Sequence, residues 1–177
     1  SRSAVCNKTP KSVTVSPATN SLNFTDSDLN TNKDVTFSAQ VAWNEETCEI
    51  PNHTHGTVVW SIDSAADVWA DIDQNGKVTV NGASIPSYTN TITVTASVTA
   101  NNVTQTGTAS LTVTRPKKCD KTITGLSAIT GEGTISVSSG TVTKTYTVTT
   151  TETGSCEYAA GEAHDTLKNH TIKWEIY

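Results

Sequence analysis

Methionine is absent from these 177 residues, and the chain opens Ser1-Arg2-Ser3 rather than on an initiator, which suggests a processed or trimmed polypeptide. No apolar run approaches the roughly 18 residues needed to span a bilayer, so membrane insertion is not expected in this segment. Positive charge is in the minority, with 12 Lys and Arg against 17 Asp and Glu and a net charge of −5. A phosphate backbone needs a cationic surface, so nucleic acid is not expected as a partner. Helical periodicity is scarce. Also missing are a Gly-x-Ser-x-Gly elbow, a His in a triad setting and any Cys-x-x-Cys pair. The expectation is a protein that is not an enzyme and carries no metal and no cofactor.

Hydrophobic residues make up 34 % and charged residues 16 %, which leaves a chain dominated by Thr, Ser, Asn and Gly. That composition suits exposed sheet faces and turns. Three landmarks recur in order and at nearly constant offset. Cys6-Asn7-Lys8-Thr9 returns as Cys119-Asp120-Lys121-Thr122, Cys48 returns as Cys156, and Val59-Trp60-Ser61-Ile62-Asp63 returns as Lys173-Trp174-Glu175-Ile176-Tyr177. Repetition of this kind points to an architectural or binding protein. The expected domains are 1–115 and 116–177, joined by a short Thr114-Arg115-Pro116-Lys117-Lys118 link that favours limited swing.

Alternation with a period of two runs through the first unit, as expected of strands with one buried face. Val13 and Val15 open it. A turn-rich stretch at 16–32 follows, then Val35, Phe37, Ala39, Val41 and Trp43 in one strand, Trp60, Ile72, and Val78 with Val80 after an Asn75-Gly76 hairpin turn. Ile92 to Val98 and Ala109 to Val113 complete seven strands. The fold class is all-β, with tandem immunoglobulin-like β-sandwiches, the second incomplete in this chain. In that second unit Thr143 to Thr149 repeats the strand at Lys33 to Ala39. The counterpart of Ser64 to Thr114 is lacking, so completion by missing sequence or by strands of a neighbouring chain is expected.

Four cysteines allow three connectivities. Cys6 precedes the first strand and Cys48 follows the second, and antiparallel neighbours bring those ends together. Cys119 and Cys156 stand in the same relation. The expected disulfides are Cys6–Cys48 and Cys119–Cys156, whose closed loops correspond to about 4 kcal/mol each in the chain-entropy model. An oxidising compartment follows. The alternative, zinc, lacks the ligand spacing.

Candidate binding residues are few. Asp71-x-Asp73-x-Asn75-Gly76 matches the start of a calcium loop, but position twelve is Gly82, where a bidentate Glu is needed, so a hairpin turn is the preferred reading. His53 and His55 supply two ligand types without a third and sit in the loop from Asn44 to Gly56, which is the best-placed binding loop. Trp69 breaks the strand phase in Ala65 to Ala70. It is either core or an exposed anchor for a sugar ring or a protein.

Val13-Thr14-Val15-Ser16-Pro17, Val59-Trp60-Ser61, Ile72-Asp73-Gln74-Asn75-Gly76-Lys77-Val78-Thr79 and Ala109-Ser110-Leu111-Thr112-Val113-Thr114 stand in the order and spacing of a known module. Over about residues 11–115 the chain resembles the bacterial immunoglobulin-like domain of group 2, the invasin and intimin-like tandem repeat. The cysteine pair and the long loop after Trp43 are additions to that pattern. The resemblance implies an extracellular, cell-surface or virion-surface protein: a rigid stalk and possible adhesion module whose partners are a protein or glycan on another surface, or neighbouring repeats of the same protein or subunit. The alternatives are a bacteriophage virion decoration or fibre protein, and an accessory carbohydrate-binding module of a secreted enzyme.

Overall fold

The computed structural model describes residues 6–44, 49, 55–131, 140, 143–159 and 162. The chain is all-β: among the described residues there are strands and two short 3-10 turns, at Asp26–Asp28 and Gly82–Ser84. No helix among them is long and apolar enough to cross a membrane. The chain divides into two compact units, Ser1–Pro116 and Lys117–Tyr177.

In the first unit β1 (Pro10–Ser16) pairs antiparallel with β4 (Ser38–Trp43). The chain then passes Pro17, whose preceding peptide is cis, and re-forms as β2 (Thr19–Asn23), which joins a different sheet by running parallel to β9 (Val103–Thr114). The stretch expected to be turn-rich thus contains a strand. That sheet has the order β2-β9-β8-β5, with β8 (Thr89–Ala100) in the middle and β5 (Val59–Ile62) at the far edge. A second sheet has the order β3-β7-β6, from β3 (Asn32–Thr36), β7 (Lys77–Asn81) and β6 (Ala70–Ile72).

The single strand expected from Val35 to Trp43 is two strands. Phe37 stands between β3 and β4, and its N–H donates to the carbonyl of Gly76 at 2.8 Å, so the ladder is handed from β7 to β1 at this residue. The hairpin turn also differs. Only Gly76 there has a positive φ, +78°, while Asn101 and Asn102, at φ 49° and 62°, form the two-residue loop that closes β8 onto β9. Two consecutive positive φ values match the right-handed twist of a tight hairpin.

Side chains from both sheets and from β1 meet in one core. Val13, Phe37, Trp60, Val78, Val80, Ile92, Val94, Leu111 and Val113 are all buried, and Val35, Ala39, Val41, Trp43 and Ile72 pack around them half-buried. Burying each large side chain contributes about 1.5–3 kcal/mol. At Gly107 the backbone of β9 lies against the carbonyl of Val13, a contact that any Cβ would break. The outer face of the β2-β9-β8-β5 sheet has a different character. Thr89, Thr91, Thr93, Thr95, Ser97 and Thr99 stand opposite Thr114, Thr112, Ser110, Thr108, Thr106 and Thr104, and none of the four strands contains an ionisable residue.

In the second unit β10 (Thr122–Leu126) pairs antiparallel with β13 (Thr150–Thr153), and β11 (Thr130–Gly131) with β12 (Tyr146–Thr147). The strand expected over Thr143 to Thr149 is therefore the shorter β12, followed by β13. Cys119 and Cys156 are disulfide-bonded across an isolated β-bridge. Leu126, Ile129 and Tyr146 are exposed. Trp174 lies outside the described residues.

Both units carry the same irregularity in an antiparallel strand pair. In the first, Lys11 is an extra residue between the pairs Pro10 with Trp43 and Ser12 with Ala42. In the second, Thr124 is extra between Ile123 with Glu152 and Gly125 with Thr151. Lys11 stands as far beyond Cys6 as Thr124 stands beyond Cys119, so the two bulges occupy equivalent places in the two units.

Candidate functional site

Trp69 belongs to a turn that the strand pattern does not anticipate. Ala66 N–H donates to Asp63 O, and Trp69 and Ala70 both donate back to Ala66 O, at 2.8–2.9 Å. This tight turn rotates Trp69 into the core, where it is 5 % exposed and its Nε1–H donates to Ala65 O at 3.1 Å. The indole therefore offers no stacking face to a sugar ring, and the exposed-anchor reading of Trp69 is corrected on that ground. Its neighbour Val68, at 82 % exposed, is the apolar side chain that faces solvent.

Beside this turn lies a shallow groove of about 390 Å³ lined by Asn32, Asp67, Val68, Trp69, Ala70, Asp71, Thr79 and Asn81. Its walls are amides, a hydroxyl and two carboxylates. Asp71 Oδ1 already accepts from Ile72 N–H at 2.8 Å, and Asn81 Oδ1 from Ala83 N–H at 3.1 Å. Much of its hydrogen-bonding capacity is thus spent on the backbone.

The calcium-like motif resolves into a hairpin turn. Asp73 Oδ1 accepts from Asn75 N–H at 2.8 Å and Lys77 N–H at 3.0 Å, and Gly76 N–H donates to Asp73 O at 3.1 Å. These donors, the Lys77 amide foremost, hold the carboxyl of Asp73 below the ordinary value. Asp71 and Asp73 do not converge on a common point with a third ligand, and no group of three His, Cys, Asp or Glu among the described residues could hold a metal.

His55 lies at one pole, with Nδ1 3.4 Å from Cys6 Sγ and its ring centroid 5.3 Å from that of Trp43. Cys6 is disulfide-bonded. His53 and Cys48 lie outside the described residues, as does most of the loop from Asn44 to Gly56.

Two polar clusters have a structural role that sequence reasoning missed. Arg115 is buried, and its guanidinium donates to the carbonyls of Ile85, Pro86 and Pro116 at 2.8–3.1 Å, binding the end of β9 to the segment before β8. Asp28 accepts from Lys33 Nζ at 2.7 Å, Thr25 Oγ1 at 2.8 Å and Thr25 N–H at 3.1 Å. The Lys33 ammonium foremost, then Thr25, lowers the Asp28 pKa to about 2. A single Lys or Arg carries no periodic signal, which is why neither cluster is visible in the sequence.

No protein-family model matches this chain, and no curated protein matches it either. Geometry alone therefore bears on function. Among the described residues the organised surfaces include the uncharged Thr and Ser face and the groove at Val68.

Proposed function

We propose that the chain is a non-catalytic extracellular segment of immunoglobulin-like repeats from a cell-surface or filament-forming protein, serving as a stiff spacer that can also present an adhesive loop. The observation that carries this reading is the duplicated antiparallel strand pair with its cysteine and its bulge. A β-bulge is a positional feature that re-aims a strand. Its return in the second unit, at the same place relative to a cysteine, is what tandem copies of one module would give. Strand pairing in the first unit supports the immunoglobulin-like assignment. Its N-terminal stretch is divided between two sheets, and β2 runs parallel to the last strand, β9. The Cys119–Cys156 bond fits an oxidising, extracellular setting.

A spacer needs modules that do not yield separately, and here a disulfide-bonded cysteine precedes the first strand of each bulged pair. The partners of this reading are neighbouring repeats of the same protein, and a protein or glycan reached by the polar loops. A second reading, a subunit of a bacteriophage virion or fibre, is favoured by Leu126, Ile129 and Tyr146, which stand exposed on the second unit where strands of a neighbouring chain would cover them. Sequencing of the native polypeptide that carries this segment separates the two. Further copies that repeat the interval from Cys6 to Cys119 support the spacer. A tail or capsid segment with no further copy overturns it in favour of the virion.

A further inference from the structure

The β2-β9-β8-β5 sheet is open at both ends, and an open edge is a template for pairing with another chain. At β5 the outward groups belong to Trp60 and Ile62, because alternate residues of a strand turn their N–H and C=O to opposite sides. Those of Trp60, at the middle of the edge, are already bonded, and by a side chain. Gln74 Oε1 accepts the Trp60 N–H at 3.2 Å, and Gln74 Nε2 donates to Trp60 O at 3.4 Å. One carboxamide thereby makes the two bonds that a residue of an adjoining antiparallel strand would make.

The rest of the loop is built to hold it there. Asp73 ties the turn to Asn75 and Lys77, and Gly76, lacking a Cβ, lets the loop lie on the Trp60 indole. Outward groups on two other edge strands are bonded too. On β2, Asn20 Oδ1 accepts the Ser21 N–H at 2.8 Å and Lys33 Nζ donates to Asn23 O at 2.7 Å. On β6, Asp71 Oδ1 accepts the Ile72 N–H and Ala66 O accepts that of Ala70, both at 2.8 Å.

We infer that Gln74 is a strand surrogate that keeps the β5 edge closed to a second copy of this chain. The occupant it excludes is the β5 of another molecule. Val59-Trp60-Ser61-Ile62 contains no charge, so two such edges meet without repulsion, and Val59, 54 % exposed, adds an apolar contact to the pairing. Antiparallel pairing of identical edges is self-complementary about a two-fold axis. A charged partner would find nothing to complement on this strand.

The test uses the full chain and its Gln74→Ala variant, with amide exchange at Trp60 and sedimentation velocity over a concentration series as readouts. The expected result is Trp60 exchange faster by at least about tenfold in dilute solution, as befits a strand-edge amide opened locally, together with concentration-dependent association beyond that of the native chain. Adding Val59→Lys to the variant should abolish that extra association, since charge at an edge opposes pairing. Should Gln74→Ala fail to fold, Gln74→Met keeps the stem and removes both hydrogen bonds, and is read by the same two measurements. A folded variant whose Trp60 amide exchanges at the native rate, or whose association matches the native chain at every concentration, overturns the proposal.

Discussion

Replacing Gly76 by alanine should be the most damaging single methyl addition in the first unit. Three costs combine. Gly76 has φ +78°, a region where an L residue is disfavoured by about 1–2 kcal/mol. The new Cβ would stand 2.9 Å from Cε2 and Cζ2 of the Trp60 indole and closer still to Phe37 O. Neither neighbour can give way freely: Trp60 is 6 % exposed and packed in the core, and the backbone of Phe37 is held by its own hydrogen bond to Gly76 O. Relief by moving the loop loses that bond, worth about 0.5–1.5 kcal/mol. Together with the strain, the loss comes to about 3 kcal/mol. For a unit of this size, with an unfolding entropy of about 2.1 cal/mol/K per residue, that lowers the melting temperature by about 12 °C. Urea unfolding followed by tryptophan fluorescence should show a lower midpoint with an unchanged slope. A loss below about 1 kcal/mol would refute the reasoning, because φ strain alone should reach that value.

Trp69→Phe should keep the fold and cost about 1 kcal/mol, from the Ala65 carbonyl left without its donor, whereas Trp69→Ala should cost about 3–5 kcal/mol by opening a core cavity; comparative urea melts check this, and equal losses would contradict it. Any loss of glycan binding on Trp69→Ala would therefore report unfolding, and Trp69→Phe is the variant to use. Cys119→Ser with Cys156→Ser should destabilise the second unit by about 4 kcal/mol in the chain-entropy model for a sequence separation of 37, seen as limited proteolysis beginning beyond Pro116 while the first unit stays intact. The depressed Asp28 pKa implies stabilisation that is complete above pH about 4, the range of a free Asp carboxyl, and is lost as pH falls through about 2. Acid unfolding of Asp28→Asn should accordingly be shallower between those values, and identical slopes would remove Asp28 from the account.

The inward residues of the long strands were legible because a two-residue period has only one way to bury Ile92, Val94, Ala96, Val98, Leu111 and Val113. β2 was not, since Thr-Asn-Ser-Leu-Asn offers one apolar residue and pairs only because β9 presents a free edge. The break at Phe37 depends on a hydrogen bond to Gly76, in a turn far along the chain, and no local pattern encodes it. Asn-Asn is a weaker hairpin signal than Asn-Gly, so the sequence gives little sign of the Asn101-Asn102 loop and points to the wrong geometry for the turn at Gly76. Trp69 breaks phase for a reason the pattern cannot state, a tight turn that buries it. Of the site residues, Cys119 and Cys156 were readable from their place before and after paired strands. The role of Gln74 was not, because it acts on backbone groups of β5, a strand distant from it in the chain.

The sheet formed by β2, β9, β8 and β5 contains no side chain that gains or loses a proton between mildly acid and mildly alkaline pH. All the net acidity of the chain therefore resides outside these four strands. Anything that adheres through the threonine rungs would hold equally in brine and in fresh water, in acid and at neutrality, whereas attachment through the loops would weaken with dissolved salt. On the adhesive reading proposed above, the response of attachment to ionic strength would tell which side of the module is in use.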